Sequence, residues 1–312
     1  MRQVIFLLSA LIPLSQGYFY GSQYADRAYS VSACPDECDC PSSFPVAMYC
    51  NGRGLTTVPP IPSHIKYLYL QHNAITSLPD SALSNATNLV WLMLHFNQLT
   101  SESIGKKLGE LERLYLQYNN LTSIPSNLPL YLEGMDNLTI LYLHDNALSE
   151  VGSSLKGLNS LTLLDLSSNK LTKVPAPLPA YLHQLYLEYN AIDSIPEGFL
   201  SLFSQLQYFR MSHNLLTNKG IPANTFNVSG LVELDLSFNK LERIPSVSTT
   251  LQYLYLQANQ IKEFTVGSFC SVVDVTNFSR LLMVRLDGNE LSLVDIPTDV
   301  SHCLRQVLDI EI

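Results

Sequence analysis

The 312-residue sequence is poor in three things. Cations are few: 18 Lys and Arg stand against 27 Asp and Glu, a formal charge of −9. That balance argues against nucleic acid or an anionic membrane as partner and favours basic or mixed-charge ones. Long apolar runs are missing beyond the opening residues. None reaches the roughly 18 apolar residues that a membrane span needs, and Leu304 to Ile312 offer no hydrophobic tail for a lipid anchor. Catalytic signatures are missing too. There is no Gly-x-Ser-x-Gly, no phosphate loop and no His-Glu-x-x-His, and the seven histidines lack metal-ligand spacing. No enzyme activity, cofactor or metal is therefore expected.

What the chain has instead is one phrase, Leu-x-x-Leu-x-Leu-x-x-Asn, repeated from end to end. Its copies close at Asn73, Asn97, Asn119, Asn146, Asn169, Asn190, Asn214, Asn239, Asn259 and Asn289. In each copy apolar residues sit three, five and eight places before the asparagine, as with Leu70, Leu68 and Ile65 before Asn73. Steps of 20 to 30 residues separate the asparagines, which is the period of a leucine-rich repeat. A unit this short cannot bury its own leucines and is stable only when stacked on its neighbours. The Leu-x-Leu alternation predicts a short strand with leucines inward, each worth roughly 1.5–3 kcal/mol when fully buried. The expected fold is an α/β-type leucine-rich repeat solenoid, a horseshoe with a parallel sheet on its concave side. Each asparagine amide is expected to satisfy backbone groups of adjacent coils in a ladder.

The convex side reads as irregular. Short repeats close with Ile124-Pro125, Val174-Pro175 and Ile244-Pro245, where proline favours extended or polyproline-like returns. The repeat around Ile195 to Leu200 is long enough for a turn of 3-10 helix. The 27-residue step from Asn119 to Asn146 looks as if a repeat had been lost, and the 30-residue step before Asn289 carries Cys270 and an apolar insert.

Arg2, the apolar run Val4 to Leu14 and the small residues up to Gly17 read as a secretory signal peptide. The expected organisation is a signal at 1–17, a short polar tail at 18–33, a cysteine-rich cap at 34–58, repeats over 59–262, and a terminal repeat and cap over 263–312. A secreted protein meets an oxidising compartment, which suits six cysteines. Cys34, Cys38, Cys40 and Cys50 cluster as Cys-x3-Cys-x-Cys-x9-Cys, without the paired short knuckles of zinc motifs, so disulfides closing the solenoid end are expected over a metal site. A bridge from Cys270 to Cys303 would be worth roughly 3–4 kcal/mol by chain entropy.

Function in a solenoid is expected on the concave sheet, whose outward positions lie two, four and six before each asparagine. Four before, the column carries Tyr69, Tyr115, Tyr142, Tyr186, Asp235 and Tyr255; six before it includes Trp91 and Glu233; two before it includes His95, His144 and Glu188. An aromatic stripe with interspersed charge is the composition of a protein-binding surface. The competing reading is cross-strand packing of tyrosines for sheet stability alone. Tyrosines on a solvated face exceed what packing needs, which favours binding. Carboxylates such as Asp165 and Glu188 read as solvated contacts on an open face rather than an acid–base pair. Sequons at Asn85, Asn120, Asn137, Asn227 and Asn277 mark sites for N-glycans. Tyr18, Tyr20, Tyr24 and Tyr29 lie in the polar tail, for which disorder is the default expectation.

Together these features resemble the small leucine-rich repeat proteoglycans of the extracellular matrix. The resemblance covers Cys34 to Ile312, and the amino-terminal cysteine spacing matches the subgroup containing fibromodulin, lumican and keratocan. Ser268-Phe269-Cys270, Val273 to Ser279 and Leu286-Asp287-Gly288-Asn289-Glu290 carry it at the other end. The resemblance implies pairing of Cys34 with Cys40, Cys38 with Cys50 and Cys270 with Cys303 across an extended ear repeat. It implies keratan sulfate on repeat-region asparagines, binding of fibrillar collagen and control of fibril diameter. Glu290 matches an acidic residue implicated in collagen contact in that family, while Ser292 stands at the place of its companion lysine. The expected protein is a monomer or weak dimer. The alternative is a secreted recognition module that sequesters a growth factor or another protein ligand.

Overall fold

A computed structural model describes residues 34–79, 81–100, 108–124, 135–272 and 276–312. The signal peptide and tail expected over 1–33 lie outside the described residues, as do most of the proline-bearing stretch after Ile124 and the centre of the insert after Cys270.

Every phrase folds into a three-residue strand. They are β2 (Tyr67–Tyr69), β3 (Trp91–Met93), β4 (Arg113–Tyr115), β5 (Ile140–Tyr142), β6 (Leu163–Asp165) and β7 (Gln184–Tyr186), then β8 (Tyr208–Arg210), β9 (Glu233–Asp235), β10 (Tyr253–Tyr255) and β11 (Met283–Arg285). The sheet is parallel and in strict chain order, and like positions pair with like, as Leu68 with Leu92. In each of these strands the middle residue is buried and its two neighbours are half-buried, the pattern that period-two alternation predicts.

Two further strands close the ends. No copy of the asparagine phrase announces either one. At the start, β1 (Ala47–Tyr49) pairs with β2, with Met48 beside Leu68. Cys50 takes the place of the next inward leucine, and its carbonyl accepts the Asn73 side-chain amide at 2.9 Å. At the finish, β12 (Asp309–Glu311) pairs with β11. Both termini of the sheet are cross-linked, by Cys34–Cys40 and Cys38–Cys50 at one end and Cys270–Cys303 at the other.

One continuous core runs through the coils, built from residues eight, five and three before each asparagine together with the one two after it, such as Ile65, Leu68, Leu70 and Ile75. The asparagines form the expected ladder. Asn214 shows the pattern: its Oδ1 accepts the backbone N–H of Ile192 at 3.0 Å, and its Nδ2 donates to the carbonyls of Leu187 and Met211. The previous coil and its own coil are thus stitched by one side chain. The return side is irregular, with a 3-10 turn at Leu200–Leu202 in the long repeat where room for one was expected. After Val174 and Ile244 the chain is non-helical. The one α-helix among the described residues is α1 (Val300–Cys303), beside the terminal disulfide.

Candidate functional site

Parallel register brings the outward residues of all twelve strands to one open face. Tyr69, Tyr115, Tyr142, Tyr186 and Tyr255 lie on it, with Glu233 and Asp235 from β9 and Glu188 just beyond β7. The tyrosines do pack on one another: Tyr49 stacks on Tyr69 with centroids 4.5 Å apart, and Tyr115 on Tyr142 at 5.2 Å. Burial pushes the phenols of Tyr69, Tyr142, Tyr186 and Tyr255 up, so they stay neutral hydroxyls. Packing and exposure coexist here, because every one of these rings remains half-exposed.

The middle of the face is organised around Arg210. Its Nε donates to Glu233 Oε1 at 2.6 Å, and its guanidinium sits 5.0 Å from the centre of the Tyr186 ring. Burial works most strongly against the Arg210 charge, but the hydrogen bond and charge of Glu233 together with Tyr186 and Glu188 outweigh it and raise the guanidinium above its ordinary range. Glu188 lies close by and accepts the Ser212 hydroxyl at 3.2 Å. Burial pushes the Glu188 carboxyl up, against the opposing pull of Arg210. Farther towards the start, Arg113 lies over Trp91 at 4.5 Å. A guanidinium held over an aromatic face is a preorganised contact surface.

Glu290 does not belong to this face. It follows Asn289, is exposed, and lies 3.8 Å from Lys262 of the neighbouring coil. Ser292, at the place of the companion lysine, instead caps the 3-10 turn Leu293–Asp295 through a bond to Asp295 Oδ2 at 2.7 Å. The five sequon asparagines, Asn85, Asn120, Asn137, Asn227 and Asn277, are all exposed and lie off the strands.

The residue immediately before each asparagine lies in left-handed backbone in every repeat, from His72 at φ 58° to Gly288 at φ 71°. Six of these residues are aromatic, and they stack across coils in two rows. His72, Phe96 and Tyr118 stack at 4.6 and 4.2 Å; Tyr189, His213 and Phe238 stack at 4.0 Å each. Asp145 and Ser168 separate the rows. Reading that one column down the sequence would have exposed both rows. The ring centroids of His72 and His95 lie 5.8 Å apart, and His144 pairs with Asp145 at 2.8 Å. Among the described residues no group of three or more His, Cys, Asp or Glu is placed to hold a metal ion.

A hollow of about 540 Å³ lies on the return side, where Ile221 to Phe226 meet Arg243 to Ser246. A broad, open, aromatic and charged face suits an extended macromolecule better than a small molecule.

Known proteins align with this arrangement over most of its length. The leucine rich repeat family model matches residues 63–121 and 109–171, and the leucine rich repeat N-terminal domain model matches 33–62. Fibromodulin of Bos taurus is 53% identical over 301 residues, covering 89% of this chain and 80% of that one. Lumican of Gallus gallus is 44% identical over 307 residues, covering 91% and 90%. Among solved structures, an octameric complex of latrophilin 3, Unc5D and the leucine-rich repeat region of FLRT2 contains a similar chain. It superposes with a TM-score of 0.75 at 29% identity, over 89% of this chain and 83% of that one.

Proposed function

The chain belongs to the small leucine-rich repeat proteoglycans of the extracellular matrix, in the subgroup of fibromodulin and lumican, and we propose that it binds fibrillar collagen through its open sheet face and regulates fibril assembly and diameter. The observation that carries this reading is the gathering of Tyr69, Tyr115, Tyr142, Tyr186, Glu188, Glu233, Asp235 and Tyr255 on one shallow surface. Collagen is a rod with basic side chains and no protruding domain. A long shallow face grips it through many weak contacts, each exposed ion pair adding under about 1 kcal/mol and the best aromatic anchors about 2 kcal/mol.

In this reading the glycans at Asn85, Asn120, Asn137, Asn227 and Asn277, including any keratan sulfate, space and hydrate the fibrils, while the sheet supplies primary affinity. The exposed Glu290 and Lys262 form a secondary contact at the ear. No step of this function needs catalysis, in keeping with a family of structural proteins.

Co-sedimentation with reconstituting collagen fibrils tests the proposal. Replacing Tyr186 and Glu188 together by alanine is expected to weaken binding, whereas enzymatic deglycosylation is expected to leave it nearly intact. Binding that is abolished by deglycosylation and survives the double substitution would mean that sugar chains hold the partner. A second reading, capture of a folded ligand such as a growth factor, draws on the FLRT2 region, whose solved complex also holds latrophilin 3 and Unc5D. Saturable binding of such a ligand with no fibril co-sedimentation would favour it.

A further inference from the structure

The open face changes character between β5 and β6. On β1 to β5 the outward side chains include Tyr49, Tyr69, Trp91, Tyr115 and Tyr142, with Arg113 the one charged group. The residues two before the asparagines there are Gln71, His95, Gln117 and His144, so no carboxylate lies in these columns. From β6 onward the same columns hold seven carboxylates, from Asp165 to Glu311, against two guanidiniums. Both arginines are already engaged: Arg210 with Glu233 at 2.6 Å, and Arg285 with Asp287 at 3.1 Å and Glu311 at 2.6 Å. Asp165 accepts the Ser167 N–H, Glu188 the Ser212 hydroxyl, and Asp235 the Ser237 N–H and hydroxyl, with no cation hydrogen-bonded to any of the three among the described residues. The boundary falls at one register pair, Tyr142 beside Asp165.

Resting on the collagen reading above, we propose that the face is a two-part reader of a single rod, with β1–β5 taking an uncharged proline-rich stretch and β6–β12 taking an adjoining stretch that carries arginine or lysine. Aromatic-lined surfaces receive polyproline-type chains because the imino rings pack flat on them without further loss of chain entropy. A field of uncompensated carboxylates draws cations and repels other acidic segments. Strands lie about 4.8 Å apart, so the aromatic part spans roughly 20 Å and the acidic part roughly 30 Å. At about 3.1 Å per residue these lengths correspond to roughly 6 and 10 residues of each rod chain. The two halves obey different physics. Ion contacts on an exposed face are screened by salt within a Debye length of about 8–10 Å, whereas apolar packing is not.

The test uses the full chain and a synthetic triple-helical peptide in which a Gly-Pro-Hyp block joins a Gly-Pro-Arg block, with a photo-crosslinker at the arginine end. Cross-links are expected on β6–β12 and not on β1–β5. Trp91→Ala with Tyr115→Ala is expected to weaken binding about ten-fold and leave its salt dependence unchanged. The near-isosteric Asp165→Asn with Asp235→Asn is expected to weaken binding at low salt, flatten the salt dependence and converge on the unmodified chain at high salt. Cross-links from the arginine end spread over both halves, or the same salt response in both variants, would overturn the two-part reader while leaving collagen binding in place. Failure of the unmodified chain to bind the peptide or reconstituted fibrils would overturn the collagen reading and this one with it.

Discussion

Phe96 lies flat against Tyr118, with ring centroids 4.2 Å apart and planes 7° from parallel, although both residues occupy left-handed backbone. Left-handed geometry costs an L-residue roughly 1–2 kcal/mol, so the stack has to offset it. Removing the ring at Phe96 forfeits the contacts with Tyr118 and His72, at about 0.5–1.5 kcal/mol each. Phe96→Ala is therefore expected to destabilise by about 1–3 kcal/mol, and Phe96→Gly by less, because glycine relieves the backbone. Ala258, at φ 54° with no ring to lose, supplies the control: Ala258→Gly is expected to be neutral or stabilising. Urea denaturation midpoints decide the order. Glycine worse than alanine at position 96 would mean that the backbone is not under strain there.

Asn214 is buried at 5% exposure and serves two coils at once. Asn214→Ala leaves the buried Ile192 N–H unpaired, at a cost of about 1–3 kcal/mol, while the carbonyls of Leu187 and Met211 keep the amides of Asn190 and Asn239. A loss of about 1–3 kcal/mol is expected, with amide exchange rising first in the coils on either side. Asn214→Asp keeps the acceptor but sets a buried carboxylate against the carbonyls of Leu187, Met211 and Ser212, so at neutral pH it should be no better than alanine. It should recover partly in acid, where the carboxyl regains a proton to donate. An aspartate variant as stable as the unmodified chain at pH 7 would show that the donor side of the ladder carries little energy.

Glu188 gives the face a pH dependence. Burial raises its folded-state value above that of the unfolded chain. Between the ordinary carboxylate range and the raised value, the folded state therefore binds more protons than the unfolded state. Stability contributed by this group falls as pH rises through that window and returns on acidification. Glu188→Gln keeps an acceptor for Ser212 and removes the titration, so it is expected to flatten this part of the stability profile and to be the more stable form at pH 7. A profile that is unchanged by the substitution would place the dependence elsewhere.

Cys270 and Cys303 join the last coil to the helix beyond it. In a stack of nearest-neighbour contacts an end defect stays local. Replacing both by serine is expected to cost about 2–4 kcal/mol, with amide exchange increasing mainly beyond Asn239. Equal loss of protection along all the repeats would show that the disulfide supports the whole stack.

Much of this molecule was legible in one dimension. Asn73 to Asn289 marked the ladder, and the leucines three, five and eight residues earlier marked the core. Tyr69, Tyr115 and Tyr186 could be placed on the open face by counting back four. The end strands around Met48 and Ile310 were not legible, because neither carries the asparagine phrase. They are strands because the neighbouring coil offers an unpaired edge, which is a property of the stack.

The sequence by itself determined the repeat, the inward and outward alternation and the identity of the face, since each depends on residues within about nine positions and on the fixed period of a strand. Only the tertiary structure decided which outward side chains answer one another. Arg210 meets Glu233 at a separation of 23 residues, and Phe96 meets Tyr118 at 22, because stacking makes one repeat length the distance between touching neighbours. It also set Glu290 beside Lys262, off the face. Contacts of that kind follow from register between coils, and register is settled only when the coils pack.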